Sequence, residues 1–349
     1  MIYEKFGKSF RDILSLKQSF FTDNAPLMEK TMRYAELYTA QPQRKACKIC
    51  DTRLPSTPDF AKHGVPYVQC TVCTHLNGWH EDSDAFCEQV YTSDSGKEYA
   101  QAYSSGDVEA YYKRRNAIYT PKAQFLIDAL QELGEPVDGL SFADMGAGAG
   151  YFVSALRDLN HRATKGYEVG KAQVDLANHV IGSNVIDLID LHQTVELCAE
   201  LDVDVMTFIG AFEHVQNPRA ILDGMKNNSS VRYFYFCVPM FSTTIFGEMA
   251  FPDVMPRQLA IGHTHLFTRG SIDHFGREFG LKPVAAWWFG TDMMDYYRSV
   301  AVSLAANPDT ANMIDAWAQE FTPILDDMQI AIDKQRRSSQ VHMLMRFDD

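Results

Sequence analysis

With 349 residues, 46% of them apolar and 22% charged, the chain has the make-up of a soluble globular protein, long enough for one large core and a small accessory module. A formal net charge of −13 argues against general affinity for nucleic acid or anionic membrane. Lys113, Arg114 and Arg115 make only a local basic patch. No apolar run reaches the length of a membrane span and no signal-peptide core opens the chain, so a cytoplasmic location is expected, with no nucleic-acid or membrane partner.

Residues 1–40 show apolar side chains at helical spacing: Phe6, Phe10, Ile13, Leu14 and Leu16, then Leu27, Met28, Met32, Ala35 and Leu37. They predict an N-terminal helical segment packed on the body of the protein. Residues 41–81 read as a separate module. Cys47 and Cys50 form one C-x-x-C pair and Cys70 and Cys73 a second, separated by 19 residues. Two thiolates three residues apart grip a metal from a tight knuckle, and a second knuckle completes a tetrahedron. The expectation is a zinc ribbon with structural Zn2+ on all four cysteines and a core of its own. Four thiolates close the shell, whereas catalytic zinc keeps an open position. His63, His75 and His80 read as ordinary surface histidines.

Residues 82–123 are polar and tyrosine-rich (Tyr91, Tyr99, Tyr103, Tyr111, Tyr112, Tyr119). A tyrosine suits either the wall of a wet pocket or the edge of a sheet. Residues 140–168 then read strand, glycine turn, helix, strand, acid. The first strand ends on Asp144, the turn carries Gly146, Gly148 and Gly150, and the second strand ends on Glu168. Glycines allow a tight turn and close approach of a ligand. An acid 18 residues past the last glycine sits where nucleotide-binding folds hold a ribose diol. The spacing is D-x-G-x-G-x-G rather than the G-x-G-x-x-G of dinucleotide sites. The leading acid repels a pyrophosphate and suits a cationic group such as an ammonium.

Further along, a helix over 171–179 leads to a strand near 184–188, where Asp187 and Asp190 are candidates to contact an adenine amino group. A strand at 203–209 runs into Gly210, Ala211, Phe212, Glu213, His214 and Val215, and Asn217-Pro218 opens the next helix. Strands follow at 232–238, 283–289 and 341–347. Residues 240–269 read as a loop, after which Thr268 caps a helix that stops at Gly280. Residues 292–336 form a helical insert before the last strand. The whole predicts an α/β fold: a doubly wound, Rossmann-like, seven-stranded sheet over residues 82–349, with the glycine turn, Glu168 and Gly210 to His214 around one crevice at the carboxyl ends of its strands.

The DMGAGAG segment resembles motif I of the class I S-adenosylmethionine-dependent methyltransferases. Glu213-His214-Val215 with Asn217-Pro218 resembles the segment after the fourth strand in many small-molecule members. His265, Leu266, Phe267 and Thr268 resemble the turn before their penultimate helix. The order of knuckles, tyrosine-rich helix and methyltransferase core is similar to a bacterial subset that includes sugar C-methyltransferases acting on nucleotide-linked sugars. The resemblance implies S-adenosyl-L-methionine as cofactor, with Asp144, Gly146, Gly148, Gly150, Glu168, Asp190 and Gly210 around it. It implies an enzyme of carbohydrate biosynthesis acting on a nucleotide-sugar, with Glu213 and His214 as acid–base groups. The sugar enzymes place a tyrosine two residues before that glutamate, and Ala211 stands there, so a phenol would have to come from elsewhere, such as Tyr111 or Tyr112. His214 is the expected base, since a histidine ordinarily titrates near neutrality, and His265 is second choice. The alternatives are an O-methyltransferase of a sugar or other small metabolite and a non-catalytic methyltransferase-like binding subunit. An oligomer is compatible with the sequence.

Overall fold

The computed structural model describes residues 2–10, 23–92, 107–159, 161, 163–259 and 263–348. Ile13, Leu14, Leu16, Tyr99 and Tyr103 lie outside them. The strands in chain order are β1 (Tyr3–Phe6), β2 (Phe60–Lys62), β3 (Val65–Gln69), β4 (Leu76–Gly78), β5 (Phe142–Met145) and β6 (Thr164–Glu168). They continue with β7 (Ile186–Leu188), β8 (Val205–Ile209), β9 (Tyr233–Pro239), β10 (His265–Leu266), β11 (Leu281–Trp288) and β12 (Gln340–Phe347).

Among the described residues these form two sheets. The larger has the order β1-β11-β12-β9-β8-β5-β6-β7. Its β5 to β9 are parallel, joined by helices, whereas β12 runs antiparallel between β9 and β11. β9 is apolar throughout and buried along its whole length, as a strand covered on both faces must be. The seven expected strands are all present, with β1 as an eighth at the edge. Helical spacing misreads this segment: Tyr3–Phe6 is extended and parallel to β11, while Asn24–Thr39 is the helix its pattern predicts. A four-residue stretch is too short for its period to be read, and a neighbouring strand with open amides decides it.

The strand order reverses between β5 and β8, and the crevice there is the topological switch point at which such sheets bind ligands. After β10, Thr268 caps Arg269–Phe279 through a reciprocal bond with Ser271, and Gly280 ends it in the left-handed region. Residues 240–259 carry more regular structure than the expected loop. Ser242 caps a helix at Thr243–Ala250, and Glu248 accepts from the backbone N–H of Arg257, Gln258 and Leu259, fastening the return. The C-terminal insert is helical, as expected: Asp292–Ala306, Ile314–Phe321 and Leu325–Lys334.

The smaller sheet, β10-β4-β3-β2, is antiparallel. Its first strand does not belong to the N-terminal module. β10 comes from the far side of the chain, and Phe267, one residue on, bridges to Met240 just past β9. The expectation of a separate core fails for the same reason. Cys47, Ile49, Leu54, Val68, Cys70 and Cys73 are buried in one cluster with Phe212, Phe236, Phe267 and Ile272. A module of some forty residues buries too little by itself and here borrows the flank of the larger domain.

Candidate active site and four-cysteine centre

At the end of β5, the N–H groups of Gly146 and Ala147 both donate to the Tyr167 carbonyl on β6, at 2.8 and 3.0 Å, and turn the chain over the sheet edge. Gly146, Gly148 and Gly150 have φ of +68°, +55° and +71°, a region in which side chains are strained. Space forbids a side chain at two of them. A Cβ on Gly146 would come 2.7 Å from that of Ala211, and one on Gly150 2.9 Å from that of Ala177. A Cβ on Gly148 would meet only the Gln173 amide, at 3.5 Å. The turn is braced from outside by tyrosines. Tyr111 donates to the Ala149 carbonyl at 2.9 Å, and Tyr151 stacks between Tyr111 and Tyr119 at 4.3 and 5.0 Å. Tyr111 is therefore occupied away from Glu213 and His214.

Two acids stand at the ends of adjacent strands. Glu168 is 7% exposed and accepts from the N–H of Gly148 (2.8 Å) and of Gly170 (2.7 Å), so it fixes the turn. Burial still raises its pKa, against those bonds. Asp144 is 2% exposed and accepts a 2.6 Å bond from the Thr207 hydroxyl on β8. Burial, with the charge of Glu168 added, pushes its carboxyl up to about 7, outweighing Thr207 and Lys122. A buried carboxyl beside a second acid is what a cationic ligand group relieves. The two acids and the open face of Gly148 thus fit the ammonium and ribose diol of S-adenosylmethionine. Of the two aspartates near β7, Asp187 pairs with Lys165 at 2.5 Å, while Asp190 is exposed just beyond the strand.

β8 ends at Ile209, and Gly210, with a φ of +72°, turns the chain into a short 3-10 helix, Phe212–His214. Phe212 is fully buried against Phe208, Phe234 and Phe267, which anchors the segment and sets the next two side chains. Glu213 is 3% exposed, and its Oε2 has no hydrogen-bond partner among the described residues. Burial pushes its carboxyl up to about 8, so it carries a proton at neutral pH. The His214 Nδ1 lies 3.1 Å from the Tyr91 hydroxyl, and its ring stacks on His263 at 5.5 Å. Tyr91 and His263 were not singled out by sequence reasoning. The first was one of six tyrosines in an irregular stretch, and the second was passed over for His265. That residue is fully buried in β10, its Nδ1 2.8 Å from Nε2 of His75, which is equally buried and no surface histidine.

The four cysteine sulfurs lie within 4.8 Å of one another, with Cys47–Cys73 and Cys50–Cys70 at 3.6 and 3.4 Å. Sulfurs bound tetrahedrally to one zinc would lie about 3.8 Å apart. Each knuckle closes on a residue of positive φ, Asp51 (+56°) and Thr74 (+61°), whose N–H donates to the Cys47 or Cys70 carbonyl. The donor set and the turns fit a closed tetrathiolate site able to hold a metal.

Residues 114–286 match the family described as methyltransferase domain. The chain is an S-adenosylmethionine-dependent methyltransferase with a class I domain, which is what the strand order and glycine turn also describe. None of the curated proteins compared matches it significantly. Among solved structures it is similar to magnesium protoporphyrin IX methyltransferase from Synechocystis PCC 6803, at 11% identity over 76% of this chain and 100% of that one, with a TM-score of 0.48. A putative sarcosine dimethylglycine methyltransferase from Galdieria sulphuraria gives 16% identity, 74% and 99%, and 0.46. Geranyl diphosphate C-methyltransferase from Streptomyces coelicolor A3(2) gives 12%, 70% and 87%, and 0.40. Among the described residues no helix is long and apolar enough to cross a membrane.

Proposed function

We propose that the enzyme methylates a small keto- or hydroxy-bearing molecule, a nucleotide-linked sugar, at carbon. The observation that carries the reading is the contact between the Tyr91 hydroxyl and the His214 ring, beside the buried acid Glu213. The phenol that Ala211 does not supply comes from Tyr91. When bound, S-adenosylmethionine supplies an activated methyl carbon. In this reading Asp144 takes its ammonium directly or through water, Glu168 its ribose diol and Asp190 its adenine amino group. Gly146, Gly148, Gly150 and Gly210 provide the surface it lies against.

His214 removes a proton from the carbon next to the acceptor carbonyl, with Tyr91 orienting the ring. Protonated Glu213 donates to the carbonyl oxygen and stabilises the charge that develops there. The same base would serve a hydroxyl acceptor. Structural zinc is the metal we assign to Cys47, Cys50, Cys70 and Cys73.

Proton exchange tests this without methyl transfer. A nucleotide-linked keto-sugar incubated with enzyme in D2O should lose the NMR signal of its α-proton. His214→Ala should slow the loss by about 10²–10⁴-fold and leave cofactor affinity nearly unchanged. Exchange that persists in the variant would remove His214 as the base. In the parent enzyme, absence of both exchange and transfer would remove the keto-sugar as substrate.

A further inference from the structure

We propose that Glu213, His214 and His263 form a second metal site, separate from the four cysteines, that takes a first-row divalent transition-metal ion. One ligand atom from each lies within 4.8 Å of the others. Two imidazoles and one carboxylate are a donor set for zinc, iron(II), cobalt(II) or nickel(II) rather than for magnesium, which prefers oxygen alone. Bonds of about 2.0–2.1 Å would draw such donors to about 3.4 Å, a movement of side chains only.

Two observations point to a ligand beyond the bare cluster. The first is the Oε2 of Glu213, in a side chain 97% removed from solvent, which has no hydrogen-bond partner among the described residues. Burying a polar oxygen without a partner is unfavourable, and an ion beside it would supply one. The second is the support of both rings. The Nδ1 of His263 lies 3.1 Å from the Gln258 carbonyl, and the Nδ1 of His214 lies 3.1 Å from the Tyr91 hydroxyl. Metal-binding histidines are held this way, one ring nitrogen on an outer partner and the other on the ion. Three protein ligands leave a coordination position open, unlike the closed tetrathiolate.

The site has a consequence for the proposed reaction, and on this point it rests on that reading. A nitrogen of His214 bonded to an ion cannot accept a proton, and an ionised, ligating Glu213 cannot donate one. Occupancy therefore inhibits, and the ion competes with the acceptor.

Cobalt(II) is the probe, titrated into protein already loaded with zinc at the cysteines and lacking acceptor. One equivalent should bind, with weak visible bands of nitrogen and oxygen ligation and without the strong sulfur-to-cobalt absorption of a thiolate site. Losing the Tyr91 support should weaken binding by roughly 10–100-fold in Tyr91→Phe, and losing a ligand in His263→Ala by more. S-adenosylmethionine affinity reports that each variant is folded. Glu213→Gln, which keeps shape but loses charge, should behave as His263→Ala does. No cobalt beyond the cysteine site in the parent protein overturns the proposal, as does undiminished binding in His263→Ala and Glu213→Gln together. Exchange of the α-proton in protein stripped of the second ion tests the base separately, so a failure of one reading is not mistaken for a failure of the other.

Discussion

Asp144 offers a quantitative test, because its burial has opposite effects on the empty and the occupied protein. Its folded pKa is raised to about 7, while the unfolded chain ionises with the ordinary aspartate value near 3.8. As pH rises, the unfolded state releases the proton first, so stability is lost progressively above about pH 4 and the loss is complete a little above pH 7. Each pH unit in that interval is worth about 1.4 kcal/mol, which makes the full cost about 4 kcal/mol at pH 8 and less than half of that at pH 5. Asp144→Asn abolishes the titration and keeps an oxygen for the Thr207 hydroxyl. With an unfolding entropy of about 2.1 cal/mol/K per residue, the variant should melt roughly 5 °C above the parent at pH 8 and much closer to it at pH 5, by scanning calorimetry without ligand. The cofactor reverses the sign. A cationic group binds the carboxylate, so parent affinity for S-adenosylmethionine should climb up to tenfold per pH unit below about 7 and level off above it. Asp144→Asn should bind more weakly at pH 8, by about 1.5–3 kcal/mol, and show no such rise. A variant no more stable than the parent at pH 8 would refute the buried-carboxyl argument. A parent affinity flat between pH 6 and 8 would refute the ammonium assignment.

Glu168→Ala should lose about 1.5–3 kcal/mol of S-adenosylmethionine affinity by titration calorimetry, from charge-assisted bonds to two hydroxyls; unchanged binding would sink the ribose assignment. Because burial holds a proton on Glu213 to about pH 8, kcat/KM should fall as pH rises through that value, and Glu213→Gln should flatten that limb. Metal analysis should find zinc on the cysteines, lost in a Cys47→Ser, Cys70→Ser double variant. Since the knuckles share their core with Phe212 and Phe267, chelation should lower the melting temperature of the whole chain in one transition. A module that melts alone and leaves cofactor affinity intact would contradict this.

The sequence was most legible where local rules and the global fold agree. The glycines at 146, 148 and 150 all adopt the left-handed conformation their spacing suggests, and the acids fall at strand ends because strand length fixes both. The four cysteines announce their meeting through paired spacing. Least legible were contacts with no local period. β1 is set by the open edge of β11, and Tyr91 reaches His214 across 123 positions. His263 and His265 stand two residues apart. The second lies in β10, where pairing with β4 seals it, and the first lies just outside that ladder. Nothing in the spacing of two histidines separates an edge from an interior position; only the partner strand does.

That partner strand also explains why the knuckles and the crevice are one structure. Lys48, inside the first C-x-x-C, donates to the Val215 carbonyl at 2.8 Å, and its charge is paired with Asp82. The carbonyl of Ile49, its neighbour, accepts from Arg219 at 2.7 Å. The segment that carries Glu213 and His214 is thus tied at Val215 and again at Arg219 to the two residues between Cys47 and Cys50. On its other side Phe212 stacks on Phe267, which follows β10 and bridges to Met240 just past β9. A loop after a parallel strand ordinarily takes its shape from its own turn chemistry. Here a short 3-10 turn holds Glu213 and His214 in place because a metal-sized cluster of thiols and a borrowed strand fix it from both flanks. In this chain the four-cysteine centre is therefore a foundation of the candidate active site.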